Sequence, residues 1–380
     1  MTDAGADAGT NPATKPVERL PVSVLTGFLG SGKTTLLREL LRHPDFSETA
    51  VVINEFGEIG LDHLLVESAR EDMVLLASGC LCCTISGDLV TSLRRLYQRR
   101  AAKEVPLFRR VVVETTGLAD PAPILHTLMQ DPMLAQVYRL DGVIATVDAV
   151  NGMDQLDRQI ESVKQAAVAD RLVLTKCDLA PETKVLEERL RGLNPAAPIL
   201  KALAGKIDPH GLFDAGLYNP ASKSLDVRRW LKEEAYAAAA DDHHVDQGEG
   251  HDHEGGHDHE GNHDNGQAVL DRNRHDEHIR AFCLTRTTPL DWDKFADWVE
   301  MMISLHGANL LRIKGVLNVA EAAGPIAIHG VQHLFHPPVE LPAWPDADRR
   351  SRLVFITRDI DGDTMSRSLA AFLGEDSKPA

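Results

Sequence analysis

The stretch Gly27-Phe28-Leu29-Gly30-Ser31-Gly32-Lys33-Thr34 constrains this chain most, because it joins an apolar β-branched run, Pro21–Thr26, to an amphipathic segment, Lys33–Arg42. A glycine-rich turn between a strand and a helix lets backbone N–H groups wrap phosphate, and the helix N-terminus adds a favourable dipole. In that context the spacing reads as a phosphate loop. Lys33 is expected at the β- and γ-phosphates, and the Thr34 hydroxyl on Mg²⁺. Gly27, Gly30, Ser31, Gly32 and the following Thr35 complete the expected nucleotide contacts. A strand–loop–helix of this kind implies a sheet whose next strands run parallel to the first.

The rest of the N-terminal half keeps that rhythm. Ala50–Asn54, Arg110–Glu114, Gly142–Asp148 and Arg171–Thr175 read as buried strands, and Gly87–Arg100 as a helix with Leu89, Leu93 and Leu96 at helical spacing. Nearly all-apolar strands alternating with helices predict an α/β fold, a mostly parallel sheet covered on both faces. The rhythm stops near Pro220. A short helical piece at Leu225–Ala240 precedes a segment of His, Asp, Glu and Gly that cannot bury apolar surface. Order resumes near His278. Strands are expected at Ile279–Thr285, Leu310–Val319, Ile326–Leu334 and Arg352–Thr357, with helices at Leu290–Leu305 and Asp363–Leu373. The resulting division is a disordered tail (1–19), a P-loop domain (20–222), a helix and linker (223–275), and a smaller α+β domain (276–376).

The net charge of −17 over 380 residues argues against nucleic acid or an anionic membrane as the main partner. About half of that excess lies in 241–264, which holds nine acidic residues and no Lys or Arg. No apolar run approaches the roughly 20 residues that span a bilayer. The sequence MTDAGADAGTNPATKP carries no cationic-apolar signal pattern. A cytoplasmic location is therefore expected, where five cysteines, three of them within four residues, are ligands or reactive thiols rather than disulfides.

Three further motifs extend the nucleotide reading. Thr175-Lys176-Cys177-Asp178 follows a strand at the sheet edge where α/β folds bind ligands. The Asp178 carboxylate can accept from N1–H and the exocyclic amine of guanine, a donor pair that adenine lacks. Glu114-Thr115-Thr116-Gly117 places a carboxylate near Mg²⁺ or its water shell, and Gly117 where an N–H could sense a γ-phosphate. Asn54-Glu55-Phe56-Gly57-Glu58 lies where a first switch would, so Glu55 is a candidate metal ligand, a water-positioning residue or a solvated acid. Lys33, Glu114 and Glu55 are the candidate catalytic groups. No glutamine is evidently placed to orient water, so slow intrinsic hydrolysis is expected.

Cys80, Cys82 and Cys83 follow a predicted strand, Val74–Ala77, in what reads as a Ser-Gly-bounded loop where three sulfurs can converge. Three thiolates with a fourth position open suit Zn²⁺ or Co²⁺, while a redox pair and inert buried thiols are the other readings. His243, His244, His251, His253, His257, His259 and His263 alternate with carboxylates and suit weak, multi-mode capture of divalent metal, or simply a solvated linker. His329, His333 and His336 read as packing or surface residues.

In this order, GFLGSGKTT, NEFGE, GCLCC, ETTG and TKCD resemble the CobW-like GTPases, relatives of the nickel-inserting accessory GTPases for urease and hydrogenase. Phe282–Thr288, Leu310–Gly315 and Arg352–Asp361 look like the CobW C-terminal domain. The resemblance implies GTP hydrolysis with Mg²⁺, linked to delivery of zinc, or of cobalt for cobalamin synthesis, to a metalloprotein client or a cobalt-pathway protein. It implies an internal metal site at Cys80, Cys82 and Cys83, with Glu55 as a fourth ligand. Two other functions stand beside it: a zinc buffer or sensor working through the histidine tract, and a regulatory GTPase whose cysteines are structural.

Overall fold

The computed structural model describes residues 19–46, 48–54, 69–70, 73–75, 81–84, 88–213 and 278–375, with positions 54, 69–70, 73–75 and 81–84 described by backbone alone. The expected tail before Arg19, the helical piece at 225–240 and the histidine tract lie outside the described residues. The first unit runs β1 (Leu20–Gly27), α1 (Lys33–Leu41), β2 (Thr49–Asn54), β3 (Ala69–Arg70), β4 (Met73–Leu75), β5 (Leu81–Thr84), α2 (Leu89–Ala101), β6 (Arg110–Thr115), α3 (Ala122–Gln130), α4 (Pro132–Val137), β7 (Tyr138–Asp148), α5 (Gly152–Arg158), α6 (Ile160–Val168), β8 (Arg171–Thr175), α7 (Lys184–Leu193) and β9 (Ile199–Lys201). Its sheet has the order β3-β4-β5-β2-β6-β1-β7-β8-β9. From β5 to β9 every neighbouring pair is parallel. Only β3–β4 and β4–β5 are antiparallel.

The strands are apolar throughout because both faces are covered. Val22 and Val24 of β1, with Val111 and Val113 of β6, pack on Leu93 and Leu125 of α2 and α3. The alternate residues Leu25 and Val112 pack on Leu36, Leu37 and Leu40 of α1. The period of two thus serves both faces at once. Helix α2 starts at Leu89, not Gly87, because the Asp88 carboxylate caps it, accepting from the N–H groups of Val90 and Thr91 at 3.2 and 3.4 Å. Strand β7 begins at Tyr138, four positions before the sequence reading. Tyr138 is buried there, and its hydroxyl donates to the Leu93 carbonyl at 3.1 Å.

One expectation is overturned. The segment read as a loop around the cysteines is strand β5, with Cys82 in register with Val51 of β2 and Val74 of β4, and Cys83 with Val52 and Met73. The flanking Ser and Gly residue types concealed a strand only four residues long, which lies between β4 and β2. The strand preceding it is Met73–Leu75 rather than Val74–Ala77.

The second unit runs β10 (Ile279–Arg286), α8 (Trp292–His306), β11 (Leu310–Leu317), β12 (Ile326–Val331), β13 (Leu334–Phe335), β14 (Val339–Glu340), β15 (Ser351–Arg358) and α9 (Gly362–Leu373). The sheet is antiparallel in the order β10-β15-β11-β12-β13, with β14 also on β12. Helix α8 starts at Trp292 because Leu290 bridges to Val319 and the Asp291 carboxylate accepts from Lys294 N–H at 3.1 Å. Leu353 and Phe355 of β15 pack under α8 and α9 with Trp298 and Leu369. Val354 and Ile356 turn to the other face, against Leu156, Val163 and Leu190 of α5, α6 and α7. The two units therefore share a core. Among the described residues no helix is long and apolar enough to cross a membrane.

Charged groups are buried within that shared face. Asp170, at the start of β8, accepts from Val143 N–H at 2.9 Å, from Lys314 Nζ at 2.7 Å and from the Arg312 guanidinium, which also donates to the Val168 carbonyl. Burial opposes ionisation of Asp170, but Arg312 and then Lys314 hold its carboxyl far below the ordinary range. Burial and the neighbouring Arg312 push Lys314 down to about 8. His329 and His336 stack beside this cluster, ring centroids 5.3 Å apart, as packing residues. Burial pushes His336 down to about 3, against the pull of Asp170.

Two outcomes follow from this interface. Asp170→Asn leaves two cations without their counter-charge and is expected to lower stability by about 3–5 kcal/mol in urea titration at neutral pH. Folded His336 stays neutral to about pH 3, whereas an unfolded imidazole protonates near 6.5. Between those values the unfolded chain binds more protons, so stability falls as pH falls, by up to about 1.4 kcal/mol per pH unit for the site. Urea midpoints from pH 7 to pH 4 should show a shallower fall in His336→Leu than in the parent; equal slopes would contradict the assignment.

Candidate functional site

The phosphate loop lies between β1 and α1, and its backbone is what the glycines permit. Gly27, Gly30 and Gly32 have φ of 142°, 70° and 87°, values that a side chain resists. At Gly27 the space is also closed: a Cβ there would stand 2.2 Å from Thr146 Oγ1 and 2.5 Å from the Thr146 carbonyl oxygen. Ser31 Oγ meets Thr146 Oγ1 at 2.7 Å, and Ser31 N–H donates back to Phe28 O at 3.1 Å. Helix α1 follows Gly32, which offers it no side-chain cap. Its first N–H groups are thus suited to an anionic ligand. Lys33 is buried, and its ammonium donates to the carbonyls of Gly27 at 2.8 Å and Phe28 at 3.1 Å. Thr34 Oγ1 donates to Glu114 Oε1 at 2.8 Å, bringing together two groups eighty positions apart. Thr35 is exposed.

The end of β8 forms the second wall. Thr175 Oγ1 donates to the Ser31 carbonyl at 2.6 Å, tying this loop to the phosphate loop. Lys176 takes a positive φ of 58°, and its ammonium reaches Asp148 Oδ2 at 2.6 Å. Asp148, almost fully buried, also accepts from the side chain of Asn151 at 2.9 Å and from Val150 N–H at 2.8 Å. Burial alone would raise the Asp148 pKa, but these bonds, Lys176 foremost, hold it below the ordinary range. Asp178 is exposed, and its Oδ1 accepts from Ala204 N–H at 3.1 Å. The Leu203–Lys206 turn that supplies this N–H packs on Thr35: a Cβ at Gly205 would stand 3.1 Å from Thr35 Cγ2. Sequence reasoning missed Asp148, Thr146 and this turn. In that turn the adjacent Ala204 and Gly205 both take positive φ, which an Ala-Gly pair does not announce in the sequence.

The segment after β6 forms the third wall. Glu114 is buried at the strand end. Gly117 lies directly against the phosphate loop, where a Cβ would stand 2.6 Å from Leu29 N. Its carbonyl and that of Ala119 accept from Gln165 Nε2 of α6 at 3.1 and 3.0 Å. Asp120 Oδ2 accepts from Lys164 Nζ at 3.2 Å and from Gln332 Nε2 at 3.0 Å. Gln332 belongs to the β12–β13 turn of the second unit, so one four-residue segment touches the phosphate loop at one end and the C-terminal sheet at the other.

Lys33, Thr34, Glu114, Gly117, Thr175, Lys176 and Asp178 are thus gathered at the C-terminal edge of the parallel strands, where such sheets bind ligands. Glu55, Cys80 and the seven tract histidines lie outside the described residues. Cys82 and Cys83 are placed by backbone in β5. Cys177 and Cys283 are both half-buried, and burial pushes the Cys177 thiol up. Among the described residues no group of three or more His, Cys, Asp or Glu is placed to hold a metal ion.

Comparison with known proteins extends this geometry. The family profile "CobW/HypB/UreG, nucleotide-binding domain" matches residues 21–201, and "Cobalamin synthesis protein cobW C-terminal domain" matches 279–373. The chain is 32% identical to the zinc chaperone YjiA of Escherichia coli over 355 residues, covering 93% of this chain and 98% of that one. It is also 32% identical over 202 residues to the zinc-regulated GTPase metalloprotein activator 1 of Schizosaccharomyces pombe, covering 50% of this chain and 48% of that one. The crystal structure of Zn(II)-bound YjiA GTPase from E. coli superposes with a TM-score of 0.67 at 30% identity, covering 93% of this chain and 99% of that one.

The closed space at Gly27 sets a structural test. Gly27→Ala is expected to destabilise the fold by about 2–4 kcal/mol, since it combines a strained φ with a clash on β7. Gly30→Ala, where nothing stands within 4 Å, is expected to cost about 1 kcal/mol, from its φ alone. Thermal melts of the two variants should separate in that order.

Proposed function

The chain belongs to the family that joins a CobW/HypB/UreG nucleotide-binding domain to a CobW C-terminal domain, and from this we propose that it is a GTP-hydrolysing metallochaperone. In this reading zinc, or cobalt, is held at Cys80, Cys82 and Cys83 and passed to a metalloprotein client, with metal affinity set by the nucleotide state. The observation that carries the coupling is the ladder β5-β2-β6. Cys83 pairs with Val52, Val52 pairs with Val113, and Glu114 is the next residue on that strand. The cysteine strand and the carboxylate at the phosphate loop are two strands apart, about 10 Å at the usual strand spacing.

The nucleotide roles rest on the geometry above. The positive-φ loop and the uncapped start of α1 suit the phosphates, with Lys33 as their cation. Thr34 and Glu114, already hydrogen-bonded, are the residues that would hold Mg²⁺, which when bound neutralises charge on the β- and γ-phosphates. Asp178, exposed at the end of β8, would read guanine. Gln165 is engaged with the backbone of Gly117 and Ala119, which supports a slow intrinsic rate, on the order of 10⁻⁴–10⁻³ s⁻¹ as in GTPases without an activating partner. Names of the relatives, a zinc chaperone and a zinc-regulated activator, support zinc as the cargo.

Two measurements test this. Asp178→Asn replaces an acceptor by a donor against the guanine edge and is expected to weaken GDP binding by about 10²-fold or more while improving xanthosine diphosphate, read by fluorescent-nucleotide titration. Zn²⁺ affinity should differ by about 5–150-fold between a non-hydrolysable GTP analogue and GDP, and Cys82→Ser should remove that difference. Equal affinity in the GTP-analogue, GDP and nucleotide-free states would sink the coupling.

A further inference from the structure

A second histidine pair differs from the His329–His336 pair, whose rings stack at an interplanar angle of 21°, in the inclination of its rings and in its exposure. His126 lies on α3 of the nucleotide domain and is half-buried; His333 lies in the β12–β13 turn of the C-terminal domain and is exposed. Their ring centroids are 5.7 Å apart and the planes are inclined by 50°. Two imidazoles bound to one tetrahedral ion at the usual Zn–N distance of about 2.0–2.1 Å have centroids about 5–6 Å apart. The pair therefore already stands at the separation that a shared ion needs.

The backbone on both sides is fixed. Val331 is buried in the cluster that contains Leu125 and Leu128 of α3. Gln332 donates to Asp120, and Leu334 is fully buried. His333 thus sits between anchored neighbours, and the loop entropy that a metal would otherwise have to overcome is already spent. A Cβ at Gly307, at the end of α8, would stand 3.2 Å from the His333 Cβ, which limits the side chain from the other side. From these observations we infer that His126 and His333 form an interdomain site for a borderline divalent cation, Zn²⁺ in the first instance, completed by water or a small exchangeable ligand.

This site is separate from the cysteine strand and does not depend on the metallochaperone reading. Its occupation ties α3, which follows the Glu114–Gly117 segment, to the turn that carries Gln332. Zinc there would strengthen the contact between the phosphate-sensing segment and the C-terminal sheet.

The test is carbethoxylation of the full-length chain with diethyl pyrocarbonate at graded, chelator-buffered Zn²⁺, read residue by residue by peptide mass spectrometry. Coordination occupies the ring nitrogen that attacks the reagent, so His126 and His333 should lose reactivity together, with one midpoint and by about tenfold or more. The tract histidines report in separate peptides. In His126→Gln, His333 should remain reactive at the same Zn²⁺ concentration, and in His333→Gln the same should hold for His126. Melts in chelator verify that both variants fold. Full reactivity of either histidine at saturating Zn²⁺, or protection of one that survives loss of the other, overturns the proposal. Cys82→Ser should leave the paired protection unchanged, so failure of the cysteine site and failure of this one are read apart.

Discussion

One carboxylate decides how the two halves of this molecule sit together. Asp170 is buried between the parallel sheet and the antiparallel one, and both Arg312 and Lys314 reach it from β11. Apolar faces alone tolerate small slides, because one methyl contact exchanges for another. A buried ion cluster does not, since any slide strands a charge in a region that cannot solvate it. Val143 N–H fills a further acceptor position on Asp170, so the cluster is locked to β7 as well as β8. The shared core supplies the cohesion and Asp170 supplies the register.

That register is what allows the phosphate loop to communicate with the C-terminal sheet. Residues 117–120 touch Leu29 at one end and Gln332 at the other, with Gln165 holding the carbonyls between. The segment has no spare volume at Gly117, where even one methyl group would meet the Leu29 backbone. A movement of the phosphate loop must therefore be taken up along this segment, and the helices α3 and α6 that flank it lead into the domain interface.

Much of this was legible in the sequence where the signal is local. β8 was bounded correctly because its apolar residues and its flanks agree, and the phosphate loop was legible because its glycines and its strand–helix context coincide. The cysteine segment misled for the same reason: Ser78, Gly79, Ser86 and Gly87 are residue types that favour turns, and the four residues Leu81–Thr84 carry too little periodicity to outweigh that cue. Asp170 gave no signal at all. It reads as an ordinary acid before a strand, and its partners lie 142 and 144 positions away. Thr34 and Glu114 were each read as lying near Mg²⁺ because both belong to recognisable motifs, though the bond between them was not foreseen; the Ala204–Gly205 turn on Asp178 was missed too, since two small residues after a short strand have many uses.

The hydrogen bonds of Lys33 have a consequence for selectivity. Its ammonium is satisfied by the carbonyls of Gly27 and Phe28, so any arriving molecule must offer oxygens that outcompete two well-placed acceptors. A charged phosphate can do so; a nucleoside, whose only handles are the sugar and the base, cannot. The loop therefore discriminates by exchange rather than by attraction, and a guanine edge presented without its phosphates would leave the lysine where it is.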